Sequence, residues 1–220
     1  MASGAIHVPA SAILARDVKI DRLAAIYDGF ARTYDDNRGL FDMSPVIADF
    51  MADLPATGNL LDLGCGAGEP FAKEFLDRGW SVTGVDFSAR MLELAARYVP
   101  RMTRVHGDMR EVAFNAGSFD AVCAVYSLFH VPHAQHPEIF RRVRSWLRSQ
   151  GVFLFTYATR AYTGHERFDG SKEFLGQSLF YSHATPDELR QQLGAAGFHN
   201  VEAKERSIGG EAFLWVTARP

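Results

Sequence analysis

The stretch Leu60–Pro70, LLDLGCGAGEP, carries an apolar run into three glycines at alternate positions, Gly64, Gly66 and Gly68. Glycines there let the backbone turn sharply and approach a ligand closely, ahead of a helix N-terminus that favours negative charge. A dinucleotide fingerprint, G-x-G-x-x-G, needs glycine or alanine at position 69, where this chain has Glu69. The turn alone is compatible with a ligand other than a pyrophosphate, or with a plain tight βα turn.

Working outward, strands and helices alternate. An amphipathic helix is expected from Lys19 to about Asp36, on the spacing of Ile20, Leu23, Ile26 or Tyr27, Phe30 and Tyr34. Ser44 and Pro45 read as N-cap and N1 of a second helix through Leu54. NLLDL is then a buried strand, Pro70 opens a helix that Gly79 stops, and SVTGVD (81–86) is the next strand. Ser88 caps ARMLELAARYV, MTRVHGD gives a third strand and FDAVCAV (119–125) a fourth. A helix follows with Ile139, Phe140, Val143 and Leu147 inward, and Arg141, Arg142, Arg144 and Arg148 as a mostly solvated face. Gly151 is expected to end it before the apolar strand VFLFTYA, a pattern suited to a sheet covered on both faces. Residues 159–184 are mixed and aromatic-rich; Thr185-Pro186-Asp187-Glu188 is a capping box, and two strands joined through Gly209-Gly210 close the pattern as a hairpin.

Such alternation predicts a doubly wound, mostly parallel sheet with ligands at the carboxyl ends of its strands. Those ends carry Asp62 with the glycine turn, then Asp86 about twenty residues later, then Gly107-Asp108-Met109. A carboxylate at position 86 suits a ribose diol; one at 108 suits an adenine amino group, with the Met109 side chain against the purine. Three acidic strand ends in order point to a nucleoside-bearing ligand.

These pieces together resemble the class I S-adenosylmethionine-dependent methyltransferases: LLDLGCGAGEP for the cofactor turn, VTGVDFS for the ribose acid, HGDM for the adenine contact, then FDAVCAVYSLFHVP and WLRSQGVFLFTY. The family's last turn is closer to K-P-G-G, so RSQG departs from it at a turn outside the cofactor site. The resemblance covers roughly Tyr27 to the C-terminus. It implies a seven-stranded Rossmann-like α/β sheet ending in an antiparallel hairpin, with a helical cap over the cofactor in residues 1–54. The core is then 55–220, of which 159–184 is a substrate-covering insertion. It implies S-adenosyl-L-methionine as cofactor, leaving as S-adenosyl-L-homocysteine, and its amino-acid tail explains why position 69 need not be glycine. The implied cofactor-binding residues are Tyr27, Tyr34, Asp62, Gly64, Cys65, Gly66, Gly68, Asp86, Phe87, Asp108, Met109, Val125 and Tyr126. Within that set Asp62 would lie near the ammonium, Tyr27 and Tyr34 near the methionine carboxylate, and Val125 and Tyr126 beside the sulfonium; ordinary core packing stays open for the two tyrosines.

The cofactor carries the hard chemistry, so the protein's tasks are alignment, exclusion of water and acceptance of a proton where the nucleophile is acidic. His183, with Tyr181 beside it in FYSH, is the expected base or orienting residue, against a hydrogen bond at the start of the next helix. His130 is the second candidate, against a histidine that bridges a turn. His130, His133 and His136 share a three-residue spacing, but Pro132 interrupts any helix through them and no metal is expected. Phe129, Tyr157, Tyr162, Phe168, Phe174, Phe180 and Tyr181 would line an aromatic pocket, so the expected acceptor is a small aromatic metabolite methylated on oxygen or nitrogen.

The 220 residues suffice for one large domain; 47% apolar and 22% charged residues are ordinary for a globular protein. A net charge of −3 gives no reason to expect a nucleic-acid partner. Two separated cysteines suit a reducing compartment, and the first residues lack the pattern of a signal peptide. A cytoplasmic monomer or homodimer without membrane contact is the expectation. RNA or protein methylation, a non-catalytic cofactor-binding module and, more distantly, a nicotinamide dehydrogenase are the alternatives.

Overall fold

A computed structural model describes residues 23–29, 31, 33, 36, 42–174 and 176–220. Residues 23–29 are helical, as are 31, 33 and 36, while Phe30, Tyr34 and the expected start of that helix lie outside the described residues. The helices are α1 (Ser44–Ala52), α2 (Phe71–Asp77), α3 (Ala89–Tyr98), α4 (His136–Trp146), α5 (Arg160–Thr163) and α6 (Pro186–Ala195). The strands are β1 (Asn59–Leu63), β2 (Ser81–Asp86), β3 (Thr103–His106), β4 (Phe119–Ala124), β5 (Leu147–Tyr157), β6 (Phe168–Phe174), β7 (Gln177–His183), β8 (Asn200–Ile208) and β9 (Glu211–Arg219).

Seven strands form one sheet in the order β3-β2-β1-β4-β5-β9-β8, parallel through β5 and antiparallel where β9 joins β5 and β8 joins β9. This is the expected Rossmann-like sheet with its terminal hairpin. The order reverses between β1 and β4, which places a ligand crevice beyond the carboxyl ends of those two strands. Alternation along each strand supplies both faces. Leu61, Leu63, Val122, Phe153 and Phe155 pack with α4 and α6, whereas Leu60, Val82, Ala121, Cys123 and Leu154 pack with α1, α2 and α3. Full burial of each large apolar side chain stabilises by roughly 1.5–3 kcal/mol.

The local signals act as their chemistry requires. Ser88 accepts the Met91 N–H at 3.1 Å, and Thr185 with Glu188 forms a reciprocal capping box. Gly209 and Gly210 both stand at positive φ, +61° and +84°, as a two-residue hairpin turn demands. Ser44, by contrast, lies inside α1: Met43 is the cap residue, and Asp42 Oδ1 accepts the Ser44 N–H at 3.0 Å. The helix stops at Ala52 rather than Leu54.

The expected end of α4 at Gly151 is also corrected. The helix closes at Trp146, and Leu147 pairs with Phe119 as the first residue of β5. The register then shifts, so Arg148, Ser149 and Gln150 stand out of the sheet. Gly151 closes this bulge, where a Cβ would press on Leu147 Cδ2 at 2.8 Å and the carbonyls of Arg148 and Asp120 at 3.1 and 3.2 Å. Two of the four arginines are half-buried and tied to backbone: Arg142 donates to the carbonyls of Arg110, Glu111 and Val112, and Arg144 to that of Gly197. Residues 159–184 resolve into α5 and the two-stranded β6–β7 sheet. Among the described residues no helix is long and apolar enough to cross a membrane.

Candidate active site

β1 delivers the chain into a turn whose glycines all stand at positive φ: Gly64 at +77°, Gly66 at +51° and Gly68 at +80°. The Gly64 and Cys65 N–H groups donate to the Val85 carbonyl at 2.8 and 3.0 Å, which locks the turn against β2. A Cβ on Gly64 would stand 2.3 Å from Ser127 Cβ, and one on Gly68 2.3 Å from Val99 Cγ2. On Gly66 it would meet nothing within 4 Å. Gly66 therefore presents bare backbone to open space, where a ligand can lie against it.

Asp62 sits beneath this turn, 4% exposed, with Oδ1 accepting the Cys123 thiol at 3.2 Å. Among the described residues no cation pairs with it. Burial, with Asp86 adding to it and the Cys123 hydrogen bond opposing it, pushes its carboxyl up to about 7. Asp86, at the end of β2, accepts the Gly66 N–H on Oδ2 and the Ser88 N–H on Oδ1, both at 2.8 Å. Burial raises its carboxyl to about 6, against those two backbone hydrogen bonds. Asp86 thus serves the turn itself as well as facing the crevice, since each oxygen keeps a second lone pair. Phe87 follows it, half-buried, its carbonyl engaged by His106 Nε2 at 2.9 Å.

The structure narrows several expected roles. Asp108 is clasped by Arg110, whose N–H reaches Oδ1 at 2.8 Å, whose Nε–H is shared between Oδ1 and Oδ2 at 2.9 Å, and whose Nη2 reaches Oδ2 at 2.5 Å. This clasp fixes the loop after β3 and uses most of the acceptor capacity of the Asp108 carboxylate. The Met109 side chain is core, packed with Leu63, Val85 and Leu128, rather than laid on a purine. Cys65 contributes backbone only, because its thiol tucks under the turn, 2.7 Å from where a Cβ on Gly84 would be.

After β4, half-buried Val125 leads into Tyr126, which holds φ +53°, a left-handed conformation that is costly for a side chain of this size. Thr156 Oγ1 accepts the Tyr126 N–H at 2.7 Å, and Ser127 Oγ donates to the Leu63 carbonyl at 2.6 Å. These bonds hold the strained residue at the reversal between β1 and β4.

Tyr27 reaches His130: its hydroxyl lies 2.7 Å from Nε2. His130 Nδ1 donates to the Phe180 carbonyl at 2.6 Å, so in the neutral ring Nε2 accepts from Tyr27. Burial lowers the imidazole to about 4, and His130 is a neutral bridge between the N-terminal helix, the β4 loop and β7. Asp28 adds a second tie, accepting the Ser88 hydroxyl at 2.5 Å and the Arg90 N–H at 3.2 Å. Tyr34 lies outside the described residues.

His183 is not an accessible base. It is fully buried, its Nδ1 donates to the Ala184 carbonyl at 3.0 Å, and its Nε2 is committed to Thr163 Oγ1 at 2.7 Å. It closes the hairpin onto α5, and burial lowers its pKa. Tyr181 is buried between Phe129, stacked at 5.0 Å, and Tyr162 at 5.2 Å; burial and its hydrogen bond to Tyr162 push its hydroxyl far up. The remaining histidines diverge, His133 to Ser182 and Asp169, His136 to the Val131 carbonyl at 2.9 Å. Among the described residues no cluster of three or more His, Cys, Asp or Glu is placed to hold a metal ion.

Against this geometry stand the comparisons with known proteins. The sequence model of the methyltransferase domain family matches residues 37–203. The chain belongs to the methyltransferase domain family. The Bacillus subtilis (strain 168) protein YqeM is 33% identical to this chain over 135 residues, which are 59% of this chain and 54% of that one. The 27-O-demethylrifamycin SV methyltransferase of Amycolatopsis mediterranei (strain S699) is 34% identical over 107 residues, 46% of this chain and 39% of that one. The chain thus spans about half the length, or less, of these curated relatives. A Burkholderia thailandensis 1,6-didemethyltoxoflavin-N1-methyltransferase, solved with 1,6-didemethyltoxoflavin and S-adenosylhomocysteine, superposes with a TM-score of 0.66 at 25% identity, covering 99% of this chain and 93% of that one.

Sequence reasoning missed several residues that build this candidate site. Arg110, Ser127 and Thr156 position other groups, and Glu211 stands half-buried among the aromatics. Arg110 was visible only as a charge two residues from Asp108. Glu211 follows Gly209-Gly210 and lies just ahead of the expected strand AFLWVTA, with no signal in the sequence to single it out.

Proposed function

We propose that this chain is an S-adenosyl-L-methionine-dependent methyltransferase acting on oxygen or nitrogen of a small aromatic metabolite. The observation that carries the reading is Asp62, a buried carboxylate that pairs with no cation among the described residues, beneath the open backbone of Gly66. That donor set fits an ammonium and a bulky amino-acid tail, and it does not fit a pyrophosphate. Asp62 and the glycine turn would hold the amino-acid end, Asp86 the ribose, and the Met109 main chain the adenine. When bound, S-adenosylmethionine supplies a methyl group on a sulfonium for in-line displacement by the acceptor.

The chain's own residues align and enclose. Tyr126 is held at its strained φ where the crevice opens, while Tyr27 and Asp28 pin the N-terminal helix across it as a cap. The α5 and β6–β7 segment covers the acceptor side with Tyr162 and Tyr181. Alignment of this kind supplies roughly 7–11 kcal/mol in favourable cases, so no covalent enzyme nucleophile is required. Both cysteines are buried, with thiols pushed well up by burial, which suits packing rather than attack. The relatives named for rifamycin and toxoflavin substrates support a small-molecule acceptor.

The test is turnover. Incubation with S-adenosylmethionine and a panel of phenols and aromatic amines is expected to yield S-adenosylhomocysteine, measured by mass spectrometry, only with a subset of acceptors. Turnover on RNA or protein and on none of the panel would contradict the small-molecule reading. Binding without turnover on any of them would mark a non-catalytic module.

A further inference from the structure

Glu211 opens β9 with its carboxylate half-buried, Oε1 accepting the Tyr162 hydroxyl at 3.1 Å. Among the described residues no lysine, arginine or histidine pairs with it; the nearby Lys172 gives its Nζ to the Tyr162 carbonyl at 2.7 Å and lies over the Tyr162 ring. Residues 211, 213 and 215 share one face of β9. On that face Phe213 packs against Tyr162 at 4.5 Å and Tyr126 at 5.4 Å, and Tyr126 reaches Trp215 at 5.8 Å. A carboxylate without a counter-cation thus ends a row of aromatic rings that runs to Tyr126, the strained residue at the crevice.

We infer that Glu211 and this aromatic row form the acceptor subsite, and that the acceptor carries a protonated amine which the Glu211 carboxylate binds. The inference rests on the methyltransferase reading above and narrows its substrate class. A half-buried carboxylate is stabilised by a cation, and the faces of aromatic rings attract one. A neutral or anionic acceptor would leave Glu211 uncompensated or repelled. Glu211 is here a binding residue that sets specificity; the acceptor's own oxygen or nitrogen remains the nucleophile.

The experiment compares two probes of one shape: tyramine, which carries a cationic amine, and 4-(2-hydroxyethyl)phenol, which replaces it with a hydroxyl. Calorimetric titration into protein saturated with S-adenosylhomocysteine is expected to show tyramine binding at least about tenfold more tightly. Glu211→Gln should abolish that preference, while Tyr162→Phe, which keeps the carboxylate, should retain it. Equal affinity for the two probes on the wild-type protein would overturn the inference without any variant. So would a tyramine preference that survives in Glu211→Gln. If Glu211→Gln instead weakened S-adenosylmethionine more than S-adenosylhomocysteine, the carboxylate would serve the sulfonium, and the inference would also fall. Titration of S-adenosylhomocysteine alone, done first, reports on the methyltransferase reading separately.

Discussion

Asp62→Asn is expected to raise the Tm of the ligand-free protein at pH 8, an unusual outcome for a change at a buried polar residue. Asp62 ionises at about 7 in the fold instead of 3.8, because burial penalises its charged form. The folded state therefore binds that proton more tightly than the unfolded chain does. The penalty is fully present above pH 7 and fades as pH falls from 7 towards 4, where both states are protonated. The displacement corresponds to on the order of 4 kcal/mol, an upper figure because a buried carboxylate also relaxes its surroundings. Asparagine keeps an acceptor for the Cys123 thiol without the charge. The variant should exceed wild type by on the order of 5–10 °C at pH 8, and the gap should close by pH 4. His130 and His136, both lowered to about 4 by burial, drive stability the opposite way below pH 6.5, but they are common to both proteins and cancel in the difference. Thermal melts of the pair across pH check this. A variant less stable than wild type at pH 8 would show that Asp62 already has a compensating partner.

Gly64→Ala is expected to be severely destabilising, whereas Gly66→Ala is expected to be mild. At Gly64 the new methyl meets Ser127 Cβ at 2.3 Å on a backbone at φ +77°. Left-handed backbone costs an alanine roughly 1–2 kcal/mol and overpacking roughly 1–3 more. Displacing Ser127 would also strain its bond to the Leu63 carbonyl and the Tyr126 conformation next to it. A loss of about 2–5 kcal/mol follows, a Tm drop on the order of 10 °C. At Gly66 only the backbone term applies, because nothing lies within 4 Å of the added carbon. That methyl would stand in the space a ligand needs, so Gly66→Ala should fold and bind weakly. Melting curves of the two variants decide the matter, and equal losses would refute the distinction drawn between the glycines.

Much of the scaffold was legible because its signals are local. SVTGVD was bounded correctly as β2 by its apolar run, Ser88 and Thr185 cap the helices they were expected to cap, and Gly209-Gly210 turns the hairpin. The limits of α4 were not legible, because Leu147 and Arg148 continue a helical pattern while pairing with β4 overrides it. Side-chain commitments across the fold were harder still. The grip of Arg110 on Asp108 is a contact between loop neighbours that no periodicity encodes. His183 looked accessible in FYSH, yet the hairpin folds it onto Thr163 and seals it. The placement of Asp62 and Asp86 at the carboxyl ends of β1 and β2 was legible, because the apolar runs that precede them mark the strands.

The most direct test of the central claim is calorimetric titration of S-adenosylmethionine into wild type and Asp62→Asn, with NADH as comparison ligand. The account predicts binding to wild type, silence from NADH, and an affinity reduced by about 10- to 150-fold in the variant, as expected for loss of a hydrogen bond to a charged group. Binding of NADH in place of S-adenosylmethionine, or undiminished S-adenosylmethionine affinity in a folded Asp62→Asn protein, would contradict it.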